Sequence, residues 1–313
     1  MTIKALVLGG VLALSASGAA AKNTGEAIVF ASNRDGDFEI YVMRPDGTGV
    51  RQLTRNEGSR PRDEADDRAP AWSPDGRMIA FTSTRGHEGD GAEDLDIYVM
   101  NADGSAQRRI TNNSTPDGDP DWTREGRLVF TTCAKRCRLV ALDFRNPAAR
   151  PIDLSRAGGH LSPDGRRVLL SAPGGAGYNL HSARLDGSDR RRLTESRGID
   201  HSPSWSPDGK RIAFVSDRDR NGSCFYSECS GFNGEIYVMN ADGSAEKRLT
   251  RHPGEDKDPT WSPDGKSIAF ARIRTRDDDS EILVVSTQGG LPRALTTNGP
   301  RAEDTEPDWF GSR

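Results

Sequence analysis

Acidic side chains carry most of the chemistry this sequence could perform. The run Asp217–Glu228, DRDRNGSCFYSE, fits the spacing D-x-D-x-N-G, five residues, then E, in which alternating oxygens wrap a calcium ion. Asp217, Asp219, Asn221 and Glu228 would be its side-chain ligands. Calcium is thus a cofactor the residues admit, although none is required by them. Two features weigh against it: the flanks read as strands rather than helices, and SNRDG (Ser32–Gly36) and SDRDR (Ser216–Arg220) hold equivalent places, so part of the motif is repeat.

A second acidic pattern recurs along the chain. Asp67, Asp117, Asp200, Asp256 and Asp304 each stand five residues before a tryptophan, while Arg156 takes that place in one further copy. If these residues enter an innermost strand, they form an acidic rim able to attract a cationic peptide or a metal. The alternative is that each caps its own loop by accepting backbone N–H groups. A feature present in nearly every repeat serves the repeat, which favours capping. The histidines are His87, His160, His181, His201 and His252. Only His160 and His201 fall just ahead of or within an expected innermost strand, and His201 joins the candidate rim.

The four cysteines form two close pairs, Cys133/Cys137 and Cys224/Cys229. In an oxidising compartment each pair closes a short local disulfide. A single four-thiolate zinc site is the rival, disfavoured by loose spacing and by export. No G-x-S-x-G nucleophile elbow is present.

Export is read from the first 21 residues. Lys4 gives a positive start, Ala5–Leu14 an apolar middle, and GAAAK a small-residue cleavage site after Ala21. The apolar stretch is too short to span a bilayer. Residues 1–21 are expected to be a signal peptide and 22–313 the mature domain, with no membrane span, in the periplasm or secreted. Lys and Arg number 43 against 47 Asp and Glu, a net charge of −4. That balance offers no basic stripe for nucleic acid.

Repeats position all of these residues. PAWSPDGRMIAF (Pro70–Phe81), PSWSPDGKRIAF (Pro203–Phe214) and PTWSPDGKSIAF (Pro259–Phe270) are close copies, with PDWTREGRLVF and GHLSPDGRRVLL as looser ones. A second signature follows each, as in DIYVMNADGSAQRRIT (Asp96–Thr111) and EIYVMNADGSAEKRLT (Glu235–Thr250). Each unit reads as four short strands joined by Pro- and Gly-bearing turns, one blade of a propeller. The first unit lacks its Trp segment, and the C-terminal EPDWF is a Trp segment with no sequel. Together they make one blade, so an all-β, six-bladed propeller is expected, closed by a C-terminal strand and leaving no edge exposed. Trp72, Trp122, Trp205, Trp261 and Trp309 are expected between blades; Leu161 replaces Trp in the fourth, which should be the weakest.

This pairing of signatures resembles the TolB-type propeller, the repeat domain of a periplasmic translocation protein, across essentially the whole mature chain. The same repeat is similar to those in prolyl oligopeptidase-family enzymes and oligogalacturonate lyases, so it implies fold more sharply than function. TolB itself carries an additional α/β domain ahead of its propeller; here the propeller starts close to the cleavage site, which implies a propeller-only relative. The expectation is an exported, monomeric, non-enzymatic scaffold for a protein or peptide of the cell envelope. The alternatives are a metal-dependent carbohydrate-active enzyme resembling the lyases, whose pore histidines hold a divalent metal, and a calcium-stabilised structural module. The long loop Thr84–Asp96 is a further place for recognition.

Overall fold

The Ser-Pro-Asp-Gly turn closes because every polar group in it finds a local partner. Ser73 Oγ donates to Asp75 Oδ1 at 2.8 Å and accepts the Met78 N–H at 2.9 Å, while Gly76 takes a φ of 63°. The Ala-Asp-Gly-Ser turn works similarly: Asp103 Oδ1 accepts both the N–H (2.9 Å) and the hydroxyl (2.6 Å) of Ser105. Such hydrogen bonds to the ionised form hold Asp103, Asp186 and Asp242 below the usual carboxylate range. These local closures set the hairpins before any distant contact is needed.

A computed structural model of the protein describes residues 25–56, 65–85, 95–146, 152–155, 159–174, 177–219, 233–274, 279–299 and 301–311. Among them the chain runs β1 (Ala27–Ser32), β2 (Glu39–Met43) and β3 (Arg51–Gln52) in blade 1. Blade 2 holds β4 (Asp67–Trp72), β5 (Met78–Ser83), β6 (Asp96–Asn101) and β7 (Arg108–Arg109). Blade 3 holds β8 (Asp117–Trp122), β9 (Leu128–Cys133), β10 (Cys137–Leu142) and β11 (Ile152–Ser155). Blade 4 holds β12 (His160–Leu161), β13 (Arg167–Gly174), β14 (Gly177–Arg184) and β15 (Arg191–Arg192). Blade 5 holds β16 (Asp200–Trp205), β17 (Arg211–Ser216), β18 (Glu235–Asn240) and β19 (Lys247–Arg248). Blade 6 holds β20 (Asp256–Trp261), β21 (Ser267–Ile273), β22 (Ser280–Ser286) and β23 (Arg293–Ala294), before β24 (Asp304–Phe310).

Each sheet is four-stranded and antiparallel, and β24 joins blade 1 in the order β24-β1-β2-β3. The expected six-bladed ring with its two-ended blade is therefore the observed fold. Ile28 stands opposite Trp309 and Ala27 opposite Phe310.

The core is a chain of six apolar seams between neighbouring blades. Phe30, Phe81, Phe214 and Phe270, the phenylalanines of the second strands, are wholly buried. Trp72, Trp122, Trp205, Trp261 and Trp309 each pack into a different seam, as their repeated position foretold. The seam between blades 3 and 4 is filled instead by aliphatic residues that include Leu161, Val129 and Val168. Trp122 and Trp261 also donate their indole N–H to the preceding inner strand, at Ala71 O and Ser204 O, both 3.1 Å. An aromatic anchor with a satisfied polar tip thus ties blade to blade.

Candidate functional site

The five repeated aspartates do not form an open acidic rim. Asp67, Asp117, Asp200, Asp256 and Asp304 are all at most 1% exposed. Four of them face an arginine from the second strand of their own blade or the turn just after it. Arg85 reaches Asp67 at 3.1 Å, Arg218 reaches Asp200 at 3.1 Å, Arg272 reaches Asp256 at 2.6 Å and Arg34 reaches Asp304 at 2.7 Å. Asp117, whose blade has no such arginine, accepts Asn113 Nδ2 at 2.9 Å. Each guanidinium also lies over an aromatic ring of its blade, Arg85 over Tyr98 at 4.7 Å and Arg218 over Tyr237 at 4.9 Å. A buried carboxylate needs a cation and hydrogen bonds, and the blade supplies both from within. For four of the five, the charge expected at a channel mouth is thereby neutralised inside the blades, by arginines rather than by the backbone N–H groups that loop capping requires, while Asp117 is held by the Asn113 amide.

The acidic surface lies two and four residues further on. Five inner strands share the pattern Asp-x-x-Pro-x-Trp. Its third residue takes a positive φ in every one: Ala69 49°, Asp119 50°, Ser202 44°, Asp258 54° and Glu306 53°. Pairing with the second strand shifts register across the same residues, between Arg68 and Ala71, for example, and between Lys257 and Thr260. This is a β-bulge, which bends a strand and re-aims its side chains. A left-handed L-residue costs about 1–2 kcal/mol, so the bulge is held in place by the ring around it.

The bulge sends the third and fifth residues of the segment toward the ring axis. Contacts across blades demonstrate it. Glu306 Oε2 accepts the Ala69 N–H at 2.7 Å, Asp308 Oδ2 accepts the Trp72 N–H at 2.7 Å, and Thr305 Oγ1 donates to Asp258 Oδ2 at 3.0 Å. Asp121 in blade 3 feels the charge of Asp308 in blade 1, and His160 in blade 4 feels Asp258 in blade 6. Neither pair of blades is adjacent, so these groups meet across the axis. Asp119, Asp121, Asp258, Glu306, Asp308 and His160 thus line a central channel, with Ser202, Ser204 and Thr260 between them.

Their environment is mixed, partly open to solvent and partly enclosed by the inner strands. Asp119, Asp121 and His160 are exposed, whereas Glu306 and Asp308 are half-buried. Desolvation pushes Asp121 up to about 7, with Asp308 adding to it. Desolvation followed by Asp258 pushes Glu306 up to about 7, against the Ala69 N–H, Arg68 and Lys257. Asp308 is raised by burial despite the Trp72 N–H. Burial lowers His160, opposed by Asp119 and Asp258. Such a site is poised to gain negative charge when a cation enters and favours ionisation.

The other candidate residues lie elsewhere. His201 is half-buried on β16 with Nδ1 3.1 Å from Ser202 Oγ. His181 and His252 lie away from the inner strands, on β14 and after β19. Asp217 accepts the Ile199 N–H at 2.5 Å, whereas Asp219 is held by Tyr237 and Arg248, so the two described members of the calcium pattern serve different partners. Asn221, Glu228, Cys224, Cys229, His87, Arg156 and the signal segment 1–21 lie outside the described residues. Cys133 and Cys137 are joined in a disulfide across the β9–β10 hairpin. Among the described residues no group of three or more His, Cys, Asp or Glu is placed to hold a metal ion, and no helix is long and apolar enough to cross a membrane.

No family model matches the chain. It is 33% identical over 204 residues to a protein TolB homolog of Chlorobium luteolum, a match covering 64% of this chain and 34% of that relative. Over that stretch this chain is similar to the TolB-type β-propellers. The crystal structure of TolB from Acinetobacter baumannii superposes with a TM-score of 0.69, covering 93% of this propeller and 68% of that chain at 19% identity, a likeness of fold alone. An uncharacterized peptidase, YuxL of Bacillus subtilis, is 26% identical over 72% of this chain and 25% of its own length. The matched chain therefore spans about a third of the Chlorobium relative and a quarter of the Bacillus one.

Proposed function

We propose that this TolB-type propeller is an exported, non-catalytic scaffold of the cell envelope, and that it binds a protein or peptide partner through a cationic segment presented to its axial channel. The observation that carries the reading is the contrast between two sets of carboxylates. Four of the five repeated aspartates are neutralised by arginines inside the blades, whereas Asp119, Asp121, Asp258, Glu306 and Asp308 face the axis with His160 among them. Low-dielectric walls focus the field of such a passage and draw in positive charge. Kinship with TolB homologs supports an envelope setting, and the hairpin disulfide suits an oxidising compartment.

The test is affinity capture from envelope extract with residues 22–313 as bait, beside a bait carrying Asp119→Asn, Asp121→Asn and Asp258→Asn. One partner retained by the first bait, lost from the second and released by moderate salt is the expected result. A partner held equally by both baits moves recognition to the outer loops. Empty baits, together with no binding of a lysine-rich peptide to the wild-type channel, overturn the scaffold reading.

A further inference from the structure

Four of the six blades carry an acid near the start of the third strand, Glu39, Asp96, Glu235 and Glu281, and the ring treats these acids unequally. Asp96 pairs with Arg109, Glu235 with Arg248 at 2.6 Å, and Glu281 with Arg274 at 2.5 Å. Arg109 and Arg248 occupy one repeat position, opposite Tyr98 and Tyr237. In blade 1 the residue opposite Tyr41 is Gln52. Glu39 therefore lacks the cation its counterparts have. Its buried carboxylate accepts the Thr54 hydroxyl and the Asn56 N–H, and no cation among the described residues pairs with it.

The charged groups around it make matters worse. Asp67 of blade 2 and Asp37 of the β1–β2 turn both face Glu39 with negative charge. The nearby arginines are committed elsewhere: Arg85 to Asp67, Arg34 to Asp304, and Arg68 to Asp66 and the face of Phe38. One buried oxygen of Asp67, Oδ1, accepts no hydrogen bond among the described residues. Two buried carboxylates with a single cation between them hold a proton more readily than two charges.

We propose that a proton held between Glu39 and Asp67 latches blade 1 to blade 2, and that this seam loosens as its surroundings turn from mildly acidic to mildly alkaline. The seam is directly bonded at that point, since the Asp67 N–H donates to Phe38 O at 2.7 Å and the Phe38 N–H to Asp66 Oδ1 at 3.2 Å. Burial, then Asp67 and Asp37, push Glu39 from 4.5 up to about 7. A raised carboxyl stabilises the closed seam fully below its ordinary value of 4.5 and loses that contribution as pH rises through about 7. The neighbouring seam between blades 2 and 3, where Asp96 has Arg109, is the internal control.

The experiment is amide exchange at Asp67 from pH 5 to 8.5, corrected for intrinsic rate, in wild type, Glu39→Gln and Gln52→Arg. In wild type the opening equilibrium should rise about tenfold per pH unit between about 5 and 7 and flatten above, as release of one proton requires. Glu39→Gln should remove that slope. Gln52→Arg, which restores the repeat's cation without touching either acid, should keep the seam closed at pH 8. The Asp117 amide, bonded to Leu95 O at 2.8 Å, should show one profile in all three, because any slope there comes from channel acids such as Asp121 on its own strand. A slope that survives in Glu39→Gln, or in Gln52→Arg if the first variant does not fold, overturns the latch. An equal slope at Asp67 and Asp117 overturns it as well, because the event would then be global.

Discussion

Arg34 and Asp304 stand 270 positions apart in the chain and 2.7 Å apart in the fold. The guanidinium spans both carboxylate oxygens and lies over the Tyr41 ring at 4.8 Å, while the Asp304 side chain is fully buried. This pair joins the two ends of the chain within blade 1. Removing one partner of a buried pair leaves an uncompensated charge, typically costing about 3–5 kcal/mol. Arg34→Ala should therefore destabilise in that range by chemical denaturation. Arg34→Lys should recover only part, because an ammonium neither forks nor stacks. A loss under about 1 kcal/mol for Arg34→Ala would show that the pair does not hold the ends together.

Deleting residues 303–313 tests the closure as a whole. It removes β24, which pairs with β1 along its length. The wholly buried β1 would become an open apolar edge, a template for pairing with a second chain. Size-exclusion chromatography should show higher oligomers, and the melt should move down sharply. A monomer with an unchanged melting temperature is incompatible with closure through β24.

The residues that made the fold legible are those whose partners lie nearby in sequence or recur at one repeat position. Ser73 and Asp75 close their turn within a few residues, and the tryptophans announce a seam each time they appear. The role of Asp67 was hidden because Arg85 lies 18 positions away, in the turn after the neighbouring strand. The S-x-R triplets at Ser32–Arg34, Ser83–Arg85 and Ser216–Arg218 were the available signal. The channel was less legible still. Its residues at the bulge are Ala69, Asp119, Ser202, Asp258 and Glu306, all but two of them different. Aligning repeats brings out what they share, whereas this channel is lined by residues they do not share.

Protonation of the channel should be visible as a pH-dependent stability. Burial raises both Asp121 and Glu306 to about 7, so the folded state holds protons that the unfolded state releases at lower pH. Their contribution is complete below the unfolded carboxyl range and disappears as pH rises through about 7. Glu306→Gln keeps an acceptor for the Ala69 N–H without the charge. It should raise the melting temperature by a few degrees at pH 8 and change it little at pH 5. Asp121→Asn should behave alike. A variant that is equally displaced at both pH values would mean that neither acid holds a proton in the fold.

Two glycines at one turn position separate backbone strain from packing between blades. Gly104 and Gly187 have φ values of 90° and 82°, so alanine at either site meets the same backbone penalty of about 1–2 kcal/mol. Their surroundings differ. A Cβ on Gly104 would sit 2.7 Å from Leu53 O in the preceding blade, whereas one on Gly187 has nothing within 4 Å. Gly187→Ala should therefore cost the strain alone. Gly104→Ala should cost about 1–3 kcal/mol more, because blade 2 must back away from blade 1 to make room. Chemical denaturation of the two variants gives the difference directly. Equal losses would show that the blades yield freely at this contact and that the turn glycine serves its own conformation only.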